Sequence, residues 1–406
     1  MPESEILKTE IKVGAKREVF TGLNGLRGIA ALAVVVYHYA EKTAGYSQLP
    51  PLIQKLIADG PAAVGFFFIL SGFVLAHQHL RGQKTANDRS EKAGGGAGAF
   101  YWGRFTRLYP AYLFAFLLFT PMAVQKYLIN SGQGGHRTFG TGAILSLLMV
   151  QSWTPFSQAW NGPGWSLSVE AFLYLVFPFI GWRLLRLKHM PTLAAICVAG
   201  WLIPLIFVSP YAIQRISERA WAEYVTNDPL LWLPLFAMGI LATKLLPSWN
   251  RVDSASANKI TIGVAAAVIG VACAWPARFG EIFITGGIAP LLVATIVCFT
   301  RLTGPLTRAV GSVAMNRLGQ ASYVVYILQA PMWRYWEAFT NLLRRVPLER
   351  EPVALWQFAL FFPFLIGVSM ATQHFVEEPV RNWLMRCEDG HFSLPGQVGA
   401  TARPAN

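Results

Sequence analysis

Apolar residues fall along this chain in long blocks, separated by short polar segments rich in Lys and Arg. A helix that crosses a bilayer needs about 20 mostly apolar residues. Runs of that kind lie near residues 22–41, 61–80, 107–128, 166–186, 191–209, 229–246, 260–276, 283–300, 318–337 and 354–376. An eleventh run, 141–153, is short, and the first is polar for its length, since only Gly28 to Tyr37 is free of charge or imidazole. The pattern predicts an all-α fold, a polytopic transmembrane helical bundle of about ten spans.

The charges between the runs decide the count. Lys8, Lys12, Lys16, Arg17 and Arg27 lie before or within the start of the first run. Arg81, Lys84, Arg89, Lys92, Arg104 and Arg107 follow the second, and Arg183, Arg186, Lys188 and His189 close the run 166–186. Lys and Arg are retained on the cytoplasmic side. These groups, with Lys244/Arg251/Lys259 and Arg301/Arg308/Arg317, share that side only if 141–153 makes no full crossing. Ten crossings with both termini cytoplasmic fits best, and eleven is the alternative. Residues 141–165 then form a re-entrant or interfacial stretch, allowed where protein shields the backbone from lipid. The expected organisation is a cytoplasmic segment 1–20, a transmembrane domain 21–386 and a cytoplasmic tail 387–406.

Composition supports this reading. Of 406 residues, 54% are hydrophobic and 14% charged, against roughly a quarter charged in soluble domains. The net charge of +13 raises nucleic acid as a partner. The cations sit in loop clusters and form no continuous stripe with stacking aromatics, which argues against it. Cys197, Cys273 and Cys298 lie inside apolar runs and Cys387 in the tail, with no metal-ligand spacing and no disulfide framework. The N-terminus is too charged for the apolar core of a signal peptide, so the first span is expected to remain as an anchor. GGGAGA, 94–99, lacks a following Lys-Ser or Lys-Thr and reads as a connector rather than a phosphate cradle.

Three constellations carry chemistry. In GLRGIAALAVVVYHY, Arg27 and His38 are eleven residues apart. On a helix that spacing brings both to within about 20° of one face and ~16 Å apart along the axis. Arg27 falls at the inner boundary and His38 within the membrane, where a polar side chain needs a partner or a function. Imidazole titrates near neutrality and burial favours its basic form, which suits proton removal from a hydroxyl. In FYWGRFTRLYP, Arg104 and Arg107 share a helix face just before a span and can hold phosphates through forked, charge-assisted hydrogen bonds. Anchoring the span on the cytoplasmic side is the plainer reading. In GPGWSLSVEAFLYLVFP, Glu170 sits one turn inside an apolar span and is a candidate partner of His38. Trp165 marks an aromatic belt there. Ser71, beside Gly72, reads first as a packing residue and second as a hydrogen-bonding one. Glu377 and Glu378 precede Pro379 and can pair with Arg381 or with the arginines of another loop.

Together these stretches resemble the acyltransferase-3 family of integral-membrane acyltransferases over about residues 20–385. The segments GLNGLRGIAALAVVVYHY, AAVGFFFILSGFVLA, RFTRLYPAY, GWSLSVEAFLYLVFP, GQASYVVYILQAPMW and HFVEEPVRNWL occur in the family's order. The resemblance implies transfer of an acyl group, often acetyl from acetyl-CoA, to a hydroxyl of a sugar, glycolipid or polysaccharide, hence O-acetylation. It maps the family's arginine and histidine onto Arg27 and His38, its arginine pair onto Arg104 and Arg107, its acid onto Glu170, and its closing motif onto Glu377 and Pro379. Asn24, Gly65, Ala171 and Gln329 depart from the family's usual residues, which bears on the acceptor rather than on activity.

The expected enzyme uses His38 and Glu170 as catalytic groups. Arg27, Arg104, Arg107, Ser71, Trp165, Tyr323 and Glu377 are expected to contact substrate. Acyl-CoA docks from the cytoplasm as donor, with no bound cofactor and no metal. Whether His38 activates the hydroxyl or first takes the acyl group is open. The setting is a bacterial inner membrane, and homo-oligomerisation is left open. Two rivals are a proton-coupled transporter or flippase that uses His38 and Glu170 as a relay, and an inactive scaffold.

Overall fold

The computed structural model describes residues 20–88, 97–130, 132–207, 225–275, 283–301, 304–344 and 353–388. Several sequence features lie outside them: the basic segment with Lys8, Lys12, Lys16 and Arg17, then Arg89 and Lys92, glycines 94–96, and the tail from 389. Each of the ten apolar runs contains a helix among its described residues, the run 283–300 being broken at Gly286, φ 133°. They correspond to α1 (Thr21–Ala40), α3 (Ala62–Asp88), α4 (Ala97–Val124), α6 (Trp165–Arg186), α7 (Met190–Phe207), α8 (Pro229–Ala242), α9 (Ser254–Ala274), α10 (Ala289–Cys298), α12 (Val313–Arg344) and α13 (Leu355–Thr372). Besides the single turn Leu246–Trp249, four shorter or more polar helices join them: α2 (Pro51–Ala58), α5 (Gly132–Leu147), α11 (Gly304–Val310) and α14 (Glu378–Glu388). No extended strand occurs among the described residues. The all-α, multi-pass architecture is therefore established.

Six helices are long and apolar enough to cross a membrane among the described residues. Two shorter apolar ones, Pro191–Leu202 and Ala289–Cys298, accompany them. The helices α1 and α12 fall outside this set because polar side chains dilute them, Asn24, Arg27 and His38 in α1 and Asn316, Arg317 and Gln320 in α12. The helices with the least apolar sequence are thus among those that carry candidate chemistry.

The chain forms two compact units. The first comprises Met1–Leu80, Arg183–Ser217 and Leu230–Tyr326, and the second Arg81–Trp182, Glu218–Pro229 and Ile327–Asn406. In the first, α3 and α8 touch backbone to backbone. A Cβ on Gly72 would stand 2.1 Å from Phe236 O, and one on Gly239 1.9 Å from Ile69 O. Lipid is as apolar as leucine, so membrane helices associate through such close approach rather than through a hydrophobic driving force. The packing role expected for the Ser71–Gly72 pair is realised at Gly72. Two loop cations cap helix ends. Lys244 Nζ donates to Leu185 O and Leu187 O at 2.8 and 2.7 Å, and Arg301 Nη1 to Trp249 O and Val252 O at 3.1 and 2.6 Å. Carbonyls at a helix end lack intrahelical donors and carry partial negative charge, so a cation there is favourable.

In the second unit, α4 contains Pro110 and Pro121. A proline withholds one backbone donor from the helical ladder. Pro121 leaves Leu117 O without its helical donor, and the carbonyls on either side take side-chain donors: Phe116 O accepts from Thr120 Oγ1 and Trp160 Nε1, and Leu118 O from Tyr335 Oη. The stretch 141–165, expected to be re-entrant or interfacial, divides in two. Its first residues belong to α5, which begins earlier, in glycine-rich sequence, and packs Phe139, Ala143 and Leu147 against Phe116 and Trp160. Met149 ends that helix with φ 54°, the Val150 amide bonding Leu145 O and the Met149 amide Ser146 O, a Schellman-type stop. Residues 150–164 are then irregular apart from short 3₁₀ turns.

Candidate active site

The second unit gathers most of the candidate groups. Its helices α4 and α6 run antiparallel: Phe100 stacks on Phe177, Tyr101 Oη donates to Leu175 O, and Gly164 approaches Tyr112. That register sets Arg104 opposite Tyr174, the guanidinium 5.9 Å from the ring centroid and 5.7 Å from that of Phe100. Tyr174 Oη makes a very short hydrogen bond to Glu170 Oε1. Tyr174, Arg107 and Glu170 all act electrostatically on Arg104. The result is a polar tetrad on two facing helices, with two guanidiniums against one carboxylate. Arg104 Nε is buried and has no hydrogen-bond partner among the described residues.

The arginine pair was expected just before a span. It lies instead seven and ten residues inside a helix that starts at Ala97. The candidate span Ala97–Ile129 holds 33 residues, about 50 Å at 1.5 Å per residue, against a hydrocarbon core of about 30 Å. This helix has length to spare beyond the hydrocarbon, so arginines in its first turns need not sit at mid-bilayer.

Glu377 is 7% exposed and lies in a π-helical segment, Gln373–Glu377, between α13 and α14. Its Oε1 is 3.9 Å from Arg381 Nη1, one turn on, as the sequence suggested. The following α14 lies along the first turns of α4, where Trp102 Nε1 donates to Leu384 O at 3.3 Å and Thr106 Oγ1 reaches Met385 Sδ at 3.6 Å.

At the start of α6, half-buried Trp165 has its carbonyl bonded by Ser152 Oγ at 2.6 Å. Gln151, 2% exposed, donates from Nε2 to Gly164 O and to Tyr112 Oη, which in turn donates to Ser146 O. Asn161 Nδ2 donates to Ile327 O. Side chains here supply the hydrogen bonds that irregular backbone cannot supply itself.

The first unit holds the remaining candidates. Arg27 and His38 are on one continuous helix, as expected, with Arg27 half-buried. His38 is exposed and sits in the last turn, its ring edge-on to Tyr37 at 5.1 Å and 6.0 Å from that of Tyr39. Ser71 on α3 and Tyr323 on α12 are half-buried. Thus Arg104, Arg107 and Glu170 come together within one unit, Trp165 and Glu377 belong to the same unit, and His38, Arg27, Ser71 and Tyr323 belong to the other. Among the described residues no cluster of three or more His, Cys, Asp or Glu is placed to hold a metal ion. Sequence reasoning missed Tyr174 and Gln151. Tyr174 was within reach, since it follows Glu170 by four residues on the same helix face. Gln151 had no periodic signal to mark it.

Several apolar helices around half-buried arginines and carboxylate and a buried phenol define a multi-pass membrane protein with a polar site between its helices. The comparisons give its class. Residues 20–374 match the profile described as an acyltransferase domain, of the acyltransferase-3 family, and the chain belongs to that family and is an acyltransferase. Among curated relatives, acyltransferase MdmB of Streptomyces mycarofaciens is 30% identical over 330 residues, 77% of this chain and 79% of that one. Protein 2 in the picA locus of Rhizobium radiobacter is 32% identical over 180 residues, 41% of this chain and 84% of that one. O-acetyltransferase OatA of Staphylococcus aureus is 27% identical over 176 residues, 39% of this chain and 24% of its own length. No solved structure matches.

Proposed function

We propose that this membrane acyltransferase moves an acetyl group from acetyl-CoA, bound from the cytoplasm, to a hydroxyl of a sugar, glycolipid or polysaccharide. The observation that carries the reading is the guanidinium pair of α4. Two like charges held together against a single carboxylate, one with an unsatisfied buried N–H, are costly unless an anion completes the set. The nucleotide phosphates of the donor supply that charge, and Arg104 and Arg107 match them in fork geometry. Glu170, through Tyr174, holds Arg104 in place, a role that differs from the direct pairing with His38 expected from sequence. Arg27, Ser71, Trp165, Tyr323 and Glu377 complete the substrate-contacting set.

His38 takes the proton of the acceptor hydroxyl as its oxygen attacks the thioester carbonyl. The C–O bond forms, the C–S bond breaks, and the imidazolium returns its proton to the leaving thiolate. In the variant route the imidazole itself takes the acetyl group and then passes it to the hydroxyl. The enzyme works in a bacterial inner membrane with both termini cytoplasmic, and the segments 1–20 and 387–406 flank the transmembrane domain.

The test uses the full chain in proteoliposomes, labelled acetyl-CoA and extracted envelope glycans, with a protonophore present. Acetyl transfer is expected to persist with the protonophore and to fall at least 100-fold in His38→Ala, the scale of general-base loss. Transfer unchanged in His38→Ala removes His38 from the chemistry, and no transfer without a proton gradient points to a transporter.

A further inference from the structure

The α1 helix that carries Arg27 and His38 is gripped at both ends, and at one end the grip includes a polar pair that the proposed chemistry leaves unused. Near its start, a Cβ on Gly25 would stand 1.9 Å from Val310 O, and one on Gly28 2.8 Å from Leu318 Cγ. From the other side, a Cβ on Gly319 of α12 would stand 1.7 Å from Asn24 O. At the centre of this contact Asn24 Nδ2 donates to Asn316 Oδ1 at 2.8 Å. Further along, a Cβ on Gly60 would meet Ala33 O and Tyr37 Cβ, each at 2.8 Å, next to His38.

Contacts of this kind fix a helix in two coordinates. Moving α1 by one residue shifts it 1.5 Å and turns it 100°. Leu26 or Ile29 would then face backbone that leaves no room for a Cβ. Glycine contacts alone forbid approach but supply little directional attraction. The amide pair supplies it, and because the pair is part-buried, losing it in a shifted register leaves amide groups short of partners, so the paired register is selected over neighbouring ones.

We propose that the Asn24–Asn316 pair is a positioning element for the reaction: seated among the glycine contacts, it sets the axial and rotational register of α1, and so where His38 and Arg27 are presented. This rests on the reading of His38 as the reacting imidazole. The lever is long, since His38 is fourteen residues from Asn24, about 21 Å along the axis. A small tilt at the pair therefore displaces the imidazole at the far end, where a shift of about 1 Å at a reacting group costs on the order of 100-fold in rate.

The experiment compares Asn24→Leu, which keeps the volume but cannot pair, with Asn24→Asp, whose carboxylate accepts from the Asn316 amide once that amide turns. Both are made in the full chain, in proteoliposomes, with acetyl-CoA and extracted envelope glycans. Asn24→Leu is expected to lower kcat about 10-fold with KM for acetyl-CoA within two-fold, and Asn24→Asp to recover at least half of the wild-type kcat. Hydrogen exchange is expected to rise in residues 21–40 of Asn24→Leu and not in Asn24→Asp. A wild-type kcat in Asn24→Leu overturns the proposal, as does a rate loss of the same factor in both variants or unchanged exchange in α1. Should His38→Ala retain full activity, the assignment of His38 fails instead, while the exchange result still reports on the clamp.

Discussion

Tyr174 is the residue on which the arginine site turns. Its hydroxyl bonds Glu170, and its ring lies under Arg104. Tyr174→Phe keeps the ring and removes the hydroxyl, leaving the carboxylate short of a donor at roughly 1–3 kcal/mol. The expected outcome is a lower melting temperature and a several-fold higher KM for acetyl-CoA, with Arg104→Ala raising KM further, about 10- to 100-fold, as a charge-assisted contact is lost. Donor titrations of labelled acetyl transfer check both, and an unchanged KM in Arg104→Ala removes the pair from donor binding. Met149 offers a test of backbone alone. At φ 54° a side chain costs roughly 1–2 kcal/mol, partly offset by the greater unfolded-state freedom of glycine. Met149→Gly is expected to match or exceed wild-type stability, and the β-branched Met149→Ile to fall below it in thermal unfolding. The arginines and Glu170, which meet in one unit, were legible in the sequence because a charge stands out in an apolar run. Tyr174 and Gln151 were not, because neither breaks the hydropathy pattern and their importance lies in partners far along the chain.

Helices are where sequence and structure part most clearly. All ten apolar runs hold a helix among their described residues, because lipid forces the backbone to satisfy itself. Hydropathy does not report how far a helix continues past the apolar stretch. It therefore missed the first ten residues of α4, which are aromatic and basic, and all of α14. It also missed the start of α5, whose glycines disfavour helix until Phe139 packs on Trp160. The start of α9 has a simpler local cause. Asp253 accepts from the backbone amides of Ser256 and Ala255 at 2.9 and 3.0 Å, and these bonds, Ser256 first, hold its carboxyl below the usual aspartate range. Because the folded value lies below the unfolded one of about 3.9, the cap stabilises fully above that pH. It is lost as pH falls through the lowered folded value. Melting temperature measured on acidification is expected to fall more steeply for wild type than for Asp253→Asn, which caps without titrating. Parallel curves would show that the cap carries no measurable share.

At the scale of the whole molecule, the loop charges give a topology that reporter fusions can check. Phosphatase fused after Gly45 is expected to be active and after Lys188 inactive, while green fluorescent protein at either terminus fluoresces. The reverse pattern at Lys188 would make the run 141–153 a full crossing. The seating of α14 on α4 has a consequence in time. Trp102 and Leu384 are 282 positions apart, and a ribosome adds roughly 5–20 residues per second. The flank of α4 beside the arginines therefore waits at least ten seconds or so for the helix that closes it. During synthesis the flank of α4 beside the arginines is open to whatever anions and chaperones stand nearby, until α14 emerges to cover it.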